Sequence, residues 1–329
     1  MNVVELHAFG GPEQLTLVQR PVPAVGAGQV RILVKAVGVN FSDVLMRQDR
    51  YAATPELPAV LGSEIAGIVD EVGPGVTDIA VGDRVVAALF ATGNHIGGYA
   101  EQVVTQAEWV AHVPDAVSFE AAAASLVTGL TARYLLDRSP VHGKTVLITA
   151  AAGGVGSMLV QMAKAEGAAR VVAAAGGDEK CAFAISLGAD AAFDYLKDDW
   201  SAQLARTLGD AALDIVFESS GGQITRDAFS QLGASAELVI YGALNLHDFQ
   251  LGVPQLGQMI FRNQSVTGFA LGPLLTPADF RQQAARLYDV IAAGGVSLAI
   301  AGSYPLAEVA QAHKLIEMRA TKGKIVLMV

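Results

Sequence analysis

The residues that point most directly to a chemistry are the glycines within residues 146–164, VLITAAAGGVGSMLVQMAK. Aliphatic residues typical of a buried parallel strand lead into a turn of Ala and Gly, and apolar residues at helical spacing follow. Bare backbone in such a turn can approach a pyrophosphate, while the first N–H groups of the helix point at the anion. The stretch therefore predicts a strand, a glycine turn and a helix that together bind a dinucleotide.

The predicted cradle is formed by Ala152, Gly153, Gly154, Val155 and Gly156. The full fingerprint of such a site is G-x-G-x-x-G, and here Ala151 stands at the first glycine position. An ordinary turn between strand and helix, with no ligand, is the alternative interpretation. The prediction therefore depends on the elements that surround the turn.

The composition is that of a globular protein with large cores, since 52% of the 329 residues are hydrophobic and 16% are charged. This length is sufficient for two domains. The net charge of −10 argues against nucleic acid as a partner, because phosphate backbones are bound by clustered Lys and Arg. No apolar run approaches the roughly 20 residues that span a bilayer, and the first residues lack the pattern of a secretion signal. We therefore expect a cytoplasmic protein without a membrane partner.

The chain divides into two parts with different patterns. Up to about residue 120, short strand signals predominate, and Pro- and Gly-rich turns separate them. The predicted strands of this part lie at 15–20, 29–40, 66–73, 83–89 and 97–105. They indicate a β-rich domain that resembles a partly open barrel, followed by a predicted helix at 118–137.

From residue 144 onward, strands and helices alternate at the spacing of βαβ units. The predicted strands lie at 144–149, 170–175, 191–194, 213–218, 236–241 and 264–269, and the predicted helices at 155–166, 178–187, 199–208 and 224–232. This alternation predicts a doubly wound parallel sheet with a ligand crevice at the carboxyl ends of its strands. A helix at 278–294 and a terminal strand at 322–329 break the alternation, and we expect them to return to the first domain.

Seven segments in this order resemble the medium-chain dehydrogenase/reductase superfamily, and in particular its zinc-free quinone oxidoreductase (zeta-crystallin-like) branch. They are GVNFSDVLMR, LGSEIAGIVDEVGPGV, VGDRVVA, SFEAAAASL, GLTARYLL, AAAGGVG and HKLIEMRATKGKIVL. The resemblance implies an α/β fold with a β-rich GroES-like catalytic domain at 1–122 and 271–329 and a doubly wound Rossmann domain at 123–270. It also implies a homodimer in which the sixth strand pairs the sheets of two subunits.

The resemblance further implies an NADPH-dependent, metal-independent reductase that transfers hydride to a quinone or to an α,β-unsaturated carbonyl compound. Two alternatives remain. One is a 2-enoyl thioester reductase with Tyr51 as proton donor, and the other is a non-catalytic, crystallin-like protein that binds NADPH. The acceptor is expected to meet an apolar pocket formed by loops 45–58 and 244–262.

Zinc-dependent relatives hold a catalytic metal with a Cys, a His–Glu pair and a further Cys or Asp. The matching places here are Asn40 and the triplet Gly62, Ser63 and Glu64, so the thiolate and the imidazole are missing. Cys181, the single cysteine, is expected to be a packing residue. None of the histidines has the short paired spacing of a zinc site, and each is expected at the surface or in a loop: His7, His95, His112, His142, His247 and His313.

By the same resemblance, Asn40, Asp43 and Tyr51 are the candidate catalytic residues, and Asn40 also contacts the cofactor. Asn40 and Asp43 follow the long strand at 29–40, where the alternative is an Asx-type turn that stabilises the loop. Tyr51 is placed to donate a proton to the reduced substrate, since a phenol is a donor at neutral pH. Its alternative role is to line the mouth of the cleft. Many quinone reductases have a second tyrosine where this chain has Leu45.

The choice of cofactor is predicted from the second strand of the Rossmann domain, VVAAAGG. An NAD site has an acid at the end of this strand to hold the ribose 2′-hydroxyl, whereas this chain has Gly176 and Gly177. Lys180 and Tyr195 match the residues that hold the 2′-phosphate in relatives, one by charge and the other by its hydroxyl. Asp178 lies near the position of an NAD-type acid, and we interpret it as the N-cap of the next helix. NADPH is therefore the predicted cofactor.

The remaining predicted contacts to the cofactor follow other elements. Thr131 matches a threonine beside the nicotinamide in relatives, and its alternative is a hydroxyl that bonds back to its own helix. The other predicted contacts are Ser219, Gly242, Ala243, Phe269 and Leu271 after the fourth, fifth and sixth strands, and Lys324 near the C-terminus. For Lys324, which was expected to reach the cofactor phosphates, a solvated lysine is the alternative.

Overall fold

The computed structural model describes residues 1–92, 97–242 and 251–329. They divide into two compact units, the first formed by Met1–Leu130 with Gly272–Val329 and the second by Thr131–Leu271. The first division falls within a single helix, eight residues beyond the predicted boundary at 122. The second falls one residue beyond the predicted start of the returning segment at 271.

The strands of the described residues are β1 (Asn2–Leu6), β2 (Leu15–Gln19), β3 (Gln29–Val39), β4 (Glu64–Val72), β5 (Arg84–Ala88), β6 (Gln102–Gln106), β7 (Val110–His112), β8 (Thr145–Ile148), β9 (Arg170–Ala175), β10 (Ala191–Asp194), β11 (Leu213–Glu218), β12 (Leu232–Ile240), β13 (Ser265–Gly268), β14 (Ile300–Pro305) and β15 (Lys324–Met328). The α-helices are α1 (Phe41–Arg47), α2 (Phe119–Arg138), α3 (Gly154–Ala165), α4 (Asp178–Ser186), α5 (Trp200–Leu208), α6 (Gly222–Ser230), α7 (Val253–Arg262), α8 (Pro277–Ala292) and α9 (Val309–Glu317).

The first unit is built around the long strand β3. Its central sheet has the order β14-β15-β3-β4-β5-β7, with β6 also paired to β3, and β1 and β2 form a separate hairpin. Alternate residues of β3, including Val30, Ile32 and Val34, are buried in the main core, as a half-buried strand requires. Strand β15 runs antiparallel to β3, and Ile325 pairs with Val39. This register brings Lys324 to the point where β3 ends.

The second unit is a six-stranded parallel sheet with the order β10-β9-β8-β11-β12-β13. This is the doubly wound order of dinucleotide-binding domains, so the predicted fold class is confirmed. The central strand β8 is buried at Val146, Leu147 and Ile148, which explains its continuous apolar sequence. All six strands end at the same edge, where the glycine turn after β8 also lies.

Several elements differ from the sequence-based expectation. Helix α7 lies within 244–262, which was expected to be loop, while 243–250 fall outside the described residues. Strands β1, β7 and β14 were not predicted; β14 alternates between partly exposed and exposed residues and contains Ala, Gly and Ser, so its pattern is weak. In the described ranges, the helices are too short or too polar to cross a membrane.

Candidate active site

The candidate catalytic residues of the first unit lie where β3 ends and α1 begins. Asn40 is the N-cap of α1, and its backbone N–H donates to Oδ2 of Asp43 at 2.8 Å. In return, the backbone N–H of Asp43 donates to the carbonyl oxygen of Asn40 at 3.1 Å. These two hydrogen bonds fix the first turn of α1 in the manner of a capping box, and they are not those of an Asx-turn.

The carboxyl group of Asp43 is fully buried and receives several hydrogen bonds. Ser63 Oγ donates to Oδ1 at 3.1 Å, and Tyr99 Oη donates to Oδ2 at 3.3 Å. Burial raises the pKa of Asp43 to about 6, although the hydrogen bond from Asn40 and the charge of Lys324 act in the opposite direction. Asp43 is therefore a carboxyl group that can gain or lose a proton near neutral pH.

Tyr51 lies in the loop after α1 and is 40% exposed. Burial of its hydroxyl raises its pKa, and the negative charge of Asp43 raises it further. The phenol therefore keeps its proton at neutral pH and is accessible, as a proton donor must be.

Lys324 is buried in the first unit beside Asn40 and Glu64. It is 6% exposed, its Nζ lies 2.6 Å from Glu64 Oε1, and it also donates to Asn40 Oδ1. The amide Nδ2 of Asn40 donates to the same Glu64 oxygen at 2.8 Å. A solvated lysine is thus excluded, because Lys324 forms a buried ion pair. The reason for this burial is the register of β15, which points Lys324 into the unit. The expectation that Lys324 reaches the cofactor phosphates stays a prediction.

The second oxygen of Glu64 is also engaged, because Oε2 accepts a hydrogen bond from the backbone N–H of Val127 in α2 at 2.6 Å. Glu64 therefore connects β4, α2, β15 and the start of α1. Sequence reasoning treated this residue only as the remnant of a metal-ligand pair. Among the described residues, no three His, Cys, Asp or Glu side chains are grouped as a metal site would require.

His313 was expected at the surface or in a loop, and this expectation is wrong. It lies in α9, is fully buried, and its Nε2 is 2.9 Å from Tyr99 Oη. The two rings meet edge to face, with 5.7 Å between their centroids. Burial lowers the pKa of His313 to about 3, and the nearby charge of Arg47 lowers it further, so the imidazole is neutral. His7, His112 and His142 are exposed, and His95 and His247 lie outside the described residues.

The glycine turn of the second unit has the geometry of a phosphate cradle. Gly153 is the N-cap of α3, and Gly153, Gly154 and Val155 are only partly buried, whereas Ala152 is buried. A Cβ on Gly156 would lie 2.4 Å from the carbonyl oxygen of Ala150, a distance that no side chain tolerates. Glycine is therefore required for α3 to pack this close to β8. The open first turn fits the pyrophosphate of a dinucleotide.

Two glycines stand at the end of β9, and the backbone N–H of Gly177 donates to Oδ1 of Asp194 at 2.8 Å. Gly176 follows the strand directly, and a Cβ on it would lie 3.2 Å from the ring of Tyr195. Gly177, rather than Asp178, is the N-cap of α4, which corrects the expected cap. Asp178 is the first residue of the helix, where an acid is still favourable, and it pairs with Lys197 at 2.6 Å.

The other predicted cofactor contacts lie at the same edge of the second sheet or near it. A Cβ on Gly242, after β12, would lie 2.8 Å from Cβ of Ser219, after β11. Phe269 follows β13, and its N–H donates to Ile240 at 2.8 Å, while Leu271 is buried. Ala243 lies outside the described residues. Thr131 is buried in α2, and Lys180 is half-buried in α4.

The alternative for Thr131 was a hydroxyl that bonds back to its own helix, and in α2 it is Thr128 that makes such a bond. The hydroxyl of Thr128 bonds back to the carbonyl of Ala124 at 2.9 Å. No such bond to another described residue is made by the hydroxyl of Thr131. The expectation that Thr131 contacts the nicotinamide remains a prediction.

Sequence reasoning missed the roles of Tyr99 and His313, and it placed Glu218 at the crevice without a role for its side chain. Glu218 ends β11 and is fully buried, and its Oε1 accepts the backbone N–H groups of Ser220 and Gly221 at 2.5 and 2.7 Å. Burial raises its pKa. The one available signal for His313 was its helical spacing from Val309 and Ile316, which places it on the apolar face of α9.

Comparison with known proteins agrees with this fold. Residues 26–115 match the alcohol dehydrogenase GroES-like domain family, and residues 154–289 match the zinc-binding dehydrogenase family. Quinone oxidoreductase 1 of Escherichia coli is 33% identical over 99% of this chain and 98% of its own length. The 2-haloacrylate reductase of a Burkholderia species is 32% identical over 98% of this chain and 97% of its own length.

The structure of Escherichia coli quinone oxidoreductase complexed with NADPH superimposes on this fold with a TM-score of 0.91. That protein is 33% identical to this one, and all of both chains is covered. The chain therefore belongs to the medium-chain dehydrogenase/reductase superfamily. Within it, the chain is an oxidoreductase of the zinc-free quinone oxidoreductase branch.

Proposed function

We propose that this protein transfers hydride, without a metal, from NADPH to a quinone or to the β-carbon of an α,β-unsaturated carbonyl compound. The observation that carries this proposal is the set of glycines at the carboxyl ends of the strands in the second unit. A glycine turn follows β8, and Gly176 and Gly177 follow β9 in place of an acid. This combination accepts a dinucleotide with a phosphate at the ribose 2′ position. The NADPH complex of the Escherichia coli relative supports the same cofactor.

In this proposal, Lys180 and Tyr195 bind the 2′-phosphate and the turn from Ala152 to Gly156 binds the pyrophosphate. Bound NADPH supplies the hydride and leaves as NADP⁺. Asn40, Asp43 and Tyr51 orient the acceptor, and the reduced acceptor takes one proton to complete the transfer. The remaining predicted residues of the second unit, Thr131, Ser219, Gly242, Ala243, Phe269 and Leu271, border the bound cofactor.

The direct test is to follow the nicotinamide absorbance at roughly 340 nm with NADPH and with NADH, across quinones, enones and enoyl thioesters. We expect turnover with NADPH and an acceptor from the first two classes. A clear preference for NADH would contradict the assignment of Lys180 and Tyr195. Tight NADPH binding without turnover on any acceptor would contradict the proposed reaction.

A second candidate, a 2-enoyl thioester reductase, is favoured by one observation. Tyr51 is accessible and keeps its proton, as a donor to the α-carbon must. If it has this role, Tyr51→Phe loses most turnover with crotonyl-type thioesters, while the dissociation constant of NADPH is unchanged. Full activity of this variant on every accepted acceptor would remove Tyr51 from the mechanism. The Burkholderia 2-haloacrylate reductase, which also acts on an electron-poor alkene by its name, supports acceptors of the enone type.

We also propose a homodimer joined through the edge strand β13. This strand pairs only with β12 among the described residues. Helix α7, which precedes it, exposes Ile260 and Phe261 at 73% and 89%. Such an apolar surface is typical of an interface. Light scattering after size-exclusion chromatography should give twice the mass of the chain, and Phe261→Asp should shift it toward the monomer. A monomeric wild-type protein would contradict the proposal.

A further inference from the structure

The first unit contains buried polar side chains that the proposed reaction does not yet use. We define the buried polar cluster as Asn40, Asp43, Ser63, Glu64, Tyr99, His313 and Lys324. Two of its members, His313 in α9 and Lys324 in β15, come from the segment that returns to this unit after residue 272. Each of them contacts one candidate catalytic residue, directly or through a single side chain.

Lys324 determines the orientation of the Asn40 side chain. An asparagine amide has one acceptor oxygen and one donor nitrogen. The oxygen of Asn40 accepts from Lys324, and the nitrogen donates to Glu64 Oε1 at 2.8 Å. A flipped amide would turn its oxygen toward the carboxylate of Glu64 and its NH₂ group toward the ammonium of Lys324. Both contacts would then be repulsive, because two acceptors and two donors would face each other. Glu64 is itself fixed by the N–H of Val127, so Asn40 has one orientation.

His313 determines the direction of the Tyr99 hydroxyl proton. A phenol has a single proton, and Tyr99 Oη lies near both Asp43 Oδ2 and His313 Nε2, at 3.3 and 2.9 Å. If Tyr99 donates to Asp43, then Nε2 of His313 must bear the proton and donate to Tyr99. The other ring nitrogen, Nδ1, is buried and has no hydrogen-bond partner among the described residues. An unpaired acceptor is less costly there than an unpaired N–H, which favours this tautomer.

We propose that Lys324 and His313 are positioning residues: Lys324 holds the side-chain amide of Asn40, and His313, through Tyr99, holds the carboxyl group of Asp43. This inference rests on the proposed function, in which Asn40 and Asp43 orient the acceptor. It extends the site to side chains that need not touch the substrate or the cofactor.

The role of Lys324 is tested by Lys324→Met, with Lys324→Arg as the conservative control. We expect Lys324→Met to lower kcat by about 10- to 100-fold, because a small displacement of an orienting group has an effect of this size. The dissociation constant of NADPH, measured by fluorescence, should stay within about threefold, and Lys324→Arg should recover part of kcat. A variant that loses NADPH affinity while kcat is unchanged would mean that Lys324 serves cofactor binding, directly or through Asn40, and not the orientation of the acceptor, which overturns the proposal.

The unpaired Glu64 in Lys324→Met can unfold the chain, so the double variant E64Q/K324M is the second measurement. It removes both charges and should recover thermal stability. The new carboxamide must keep its oxygen on the N–H of Val127, so its NH₂ group faces Asn40 and favours the flipped amide, and kcat remains low. Recovery of both stability and kcat would mean that Lys324 only neutralises Glu64, and the proposal would be wrong.

The role of His313 is tested without reference to turnover. The ¹⁵N NMR spectrum of the whole chain should show His313 as the neutral tautomer protonated at Nε2, and Tyr99→Phe should raise the apparent pKa of Asp43. Several neighbouring groups interact with the carboxyl group of Asp43 and bear on its pKa: Glu64 of β4, Lys324 of β15, Ser63, Tyr99 and Tyr51. The charge of Arg47 lowers the pKa of His313. Protonation at Nδ1 would overturn the assignment of His313.

Measurements of activity then distinguish the positioning role of His313 from the proposed reaction itself. His313→Leu should lower kcat and shift its pH profile, and His313→Gln, which keeps a donor near the position of Nε2, should recover part of both. An unchanged kcat and pH profile in His313→Leu would refute a positioning role. If the wild-type chain reduces no acceptor, the proposed function fails, whereas the NMR tautomer and the stability of E64Q/K324M still decide whether the contacts exist.

Discussion

The two units build their candidate sites in different ways. In the second unit, the site is made of backbone and of residues that lie close to a strand end in the sequence, such as Gly156 at the start of α3 and Gly176 directly after β9. In the first unit, it is made of buried side chains from distant segments, and Asn40 and Lys324 are 284 residues apart in the chain. Local sequence therefore specifies the first kind of site, and tertiary packing specifies the second.

The same contrast holds for charge. Lys324 and Glu64 form a buried pair at 2.6 Å in the first unit, and Lys197 and Asp178 form an exposed pair at 2.6 Å in the second. A buried ion that loses its partner cannot be solvated, whereas an exposed ion is stabilised by water. The two ion pairs have the same N–O distance, but loss of a partner should destabilise the fold much more in the buried pair than in the exposed one.

The largest expected effect follows from this comparison. Glu64→Gln leaves the buried ammonium of Lys324 without its ion-pair partner and should lower the free energy of unfolding by about 3–5 kcal/mol. Asp178→Asn, the matched change in the exposed pair, should cost about 0–1 kcal/mol. Urea unfolding followed by circular dichroism measures both. Similar losses in the two variants would remove the distinction between the two pairs.

A second prediction concerns the glycine turn. Gly156→Ala places a Cβ 2.4 Å from the carbonyl oxygen of Ala150 and must displace α3 from β8. We expect the affinity for NADPH to fall by about 100-fold, or about 2.7 kcal/mol. Gly257→Ala in α7 is the control, because its Cβ meets no atom within 4 Å and should leave binding unchanged. Isothermal titration gives both constants, and unchanged binding in Gly156→Ala would contradict the cradle.

The fold and the second unit's edge were predictable because their signals are local. A buried strand, a glycine turn and a helix follow one another within 20 residues, and each has its own pattern. The resemblance to a known family supplied the candidate residues Asn40, Asp43 and Tyr51. The predicted doubly wound parallel sheet agrees with the structure for the same reasons.

The buried polar cluster could not be predicted in this way. His313 was expected at the surface because no nearby residue pairs with it in sequence, and its partner Tyr99 is 214 residues away. For Lys324 a solvated side chain was the alternative, because lysines at a terminal strand are usually exposed, and its burial contradicts that alternative. Only the register of β15 against β3 reveals that its side chain enters the unit.

A third, smaller effect tests the second unit's selectivity. Lys180→Ala should raise KM for NADPH by about tenfold, or about 1.4 kcal/mol, with little change for NADH, because NADPH carries the 2′-phosphate that the Lys180 ammonium is proposed to bind and NADH does not. Lys197→Ala is the control, since this exposed lysine pairs with Asp178 and has no predicted cofactor contact. Steady-state kinetics with both cofactors measure the change. Equal effects of Lys180→Ala on NADPH and NADH would assign Lys180 to another part of the cofactor or to packing.

The smallest effect is a change in the slope of stability against pH in the first unit. The pKa of Asp43 is raised to about 6 from an ordinary value of 3.8, so the folded state binds a proton between these values that the unfolded state has lost. Stability from Asp43 is therefore complete below pH 3.8 and is lost as pH rises through 6. His313 acts in the opposite direction, because its pKa is lowered to about 3 and stability is lost as pH falls below 6.5.

In the wild-type chain, these two slopes oppose each other between about pH 4 and 6, each with a limit of about 1.4 kcal/mol per pH unit. Asp43→Asn removes the first and leaves the second, so its melting temperature should fall more steeply than that of the wild type as pH is lowered from 6 to 4. His313→Gln should do the reverse and make stability increase over the same interval. Parallel curves for all three proteins would mean that neither group titrates as its burial requires. Opposite changes would show that the first unit's site depends on buried ionisable side chains, and the glycine turn of the second unit should show no such dependence.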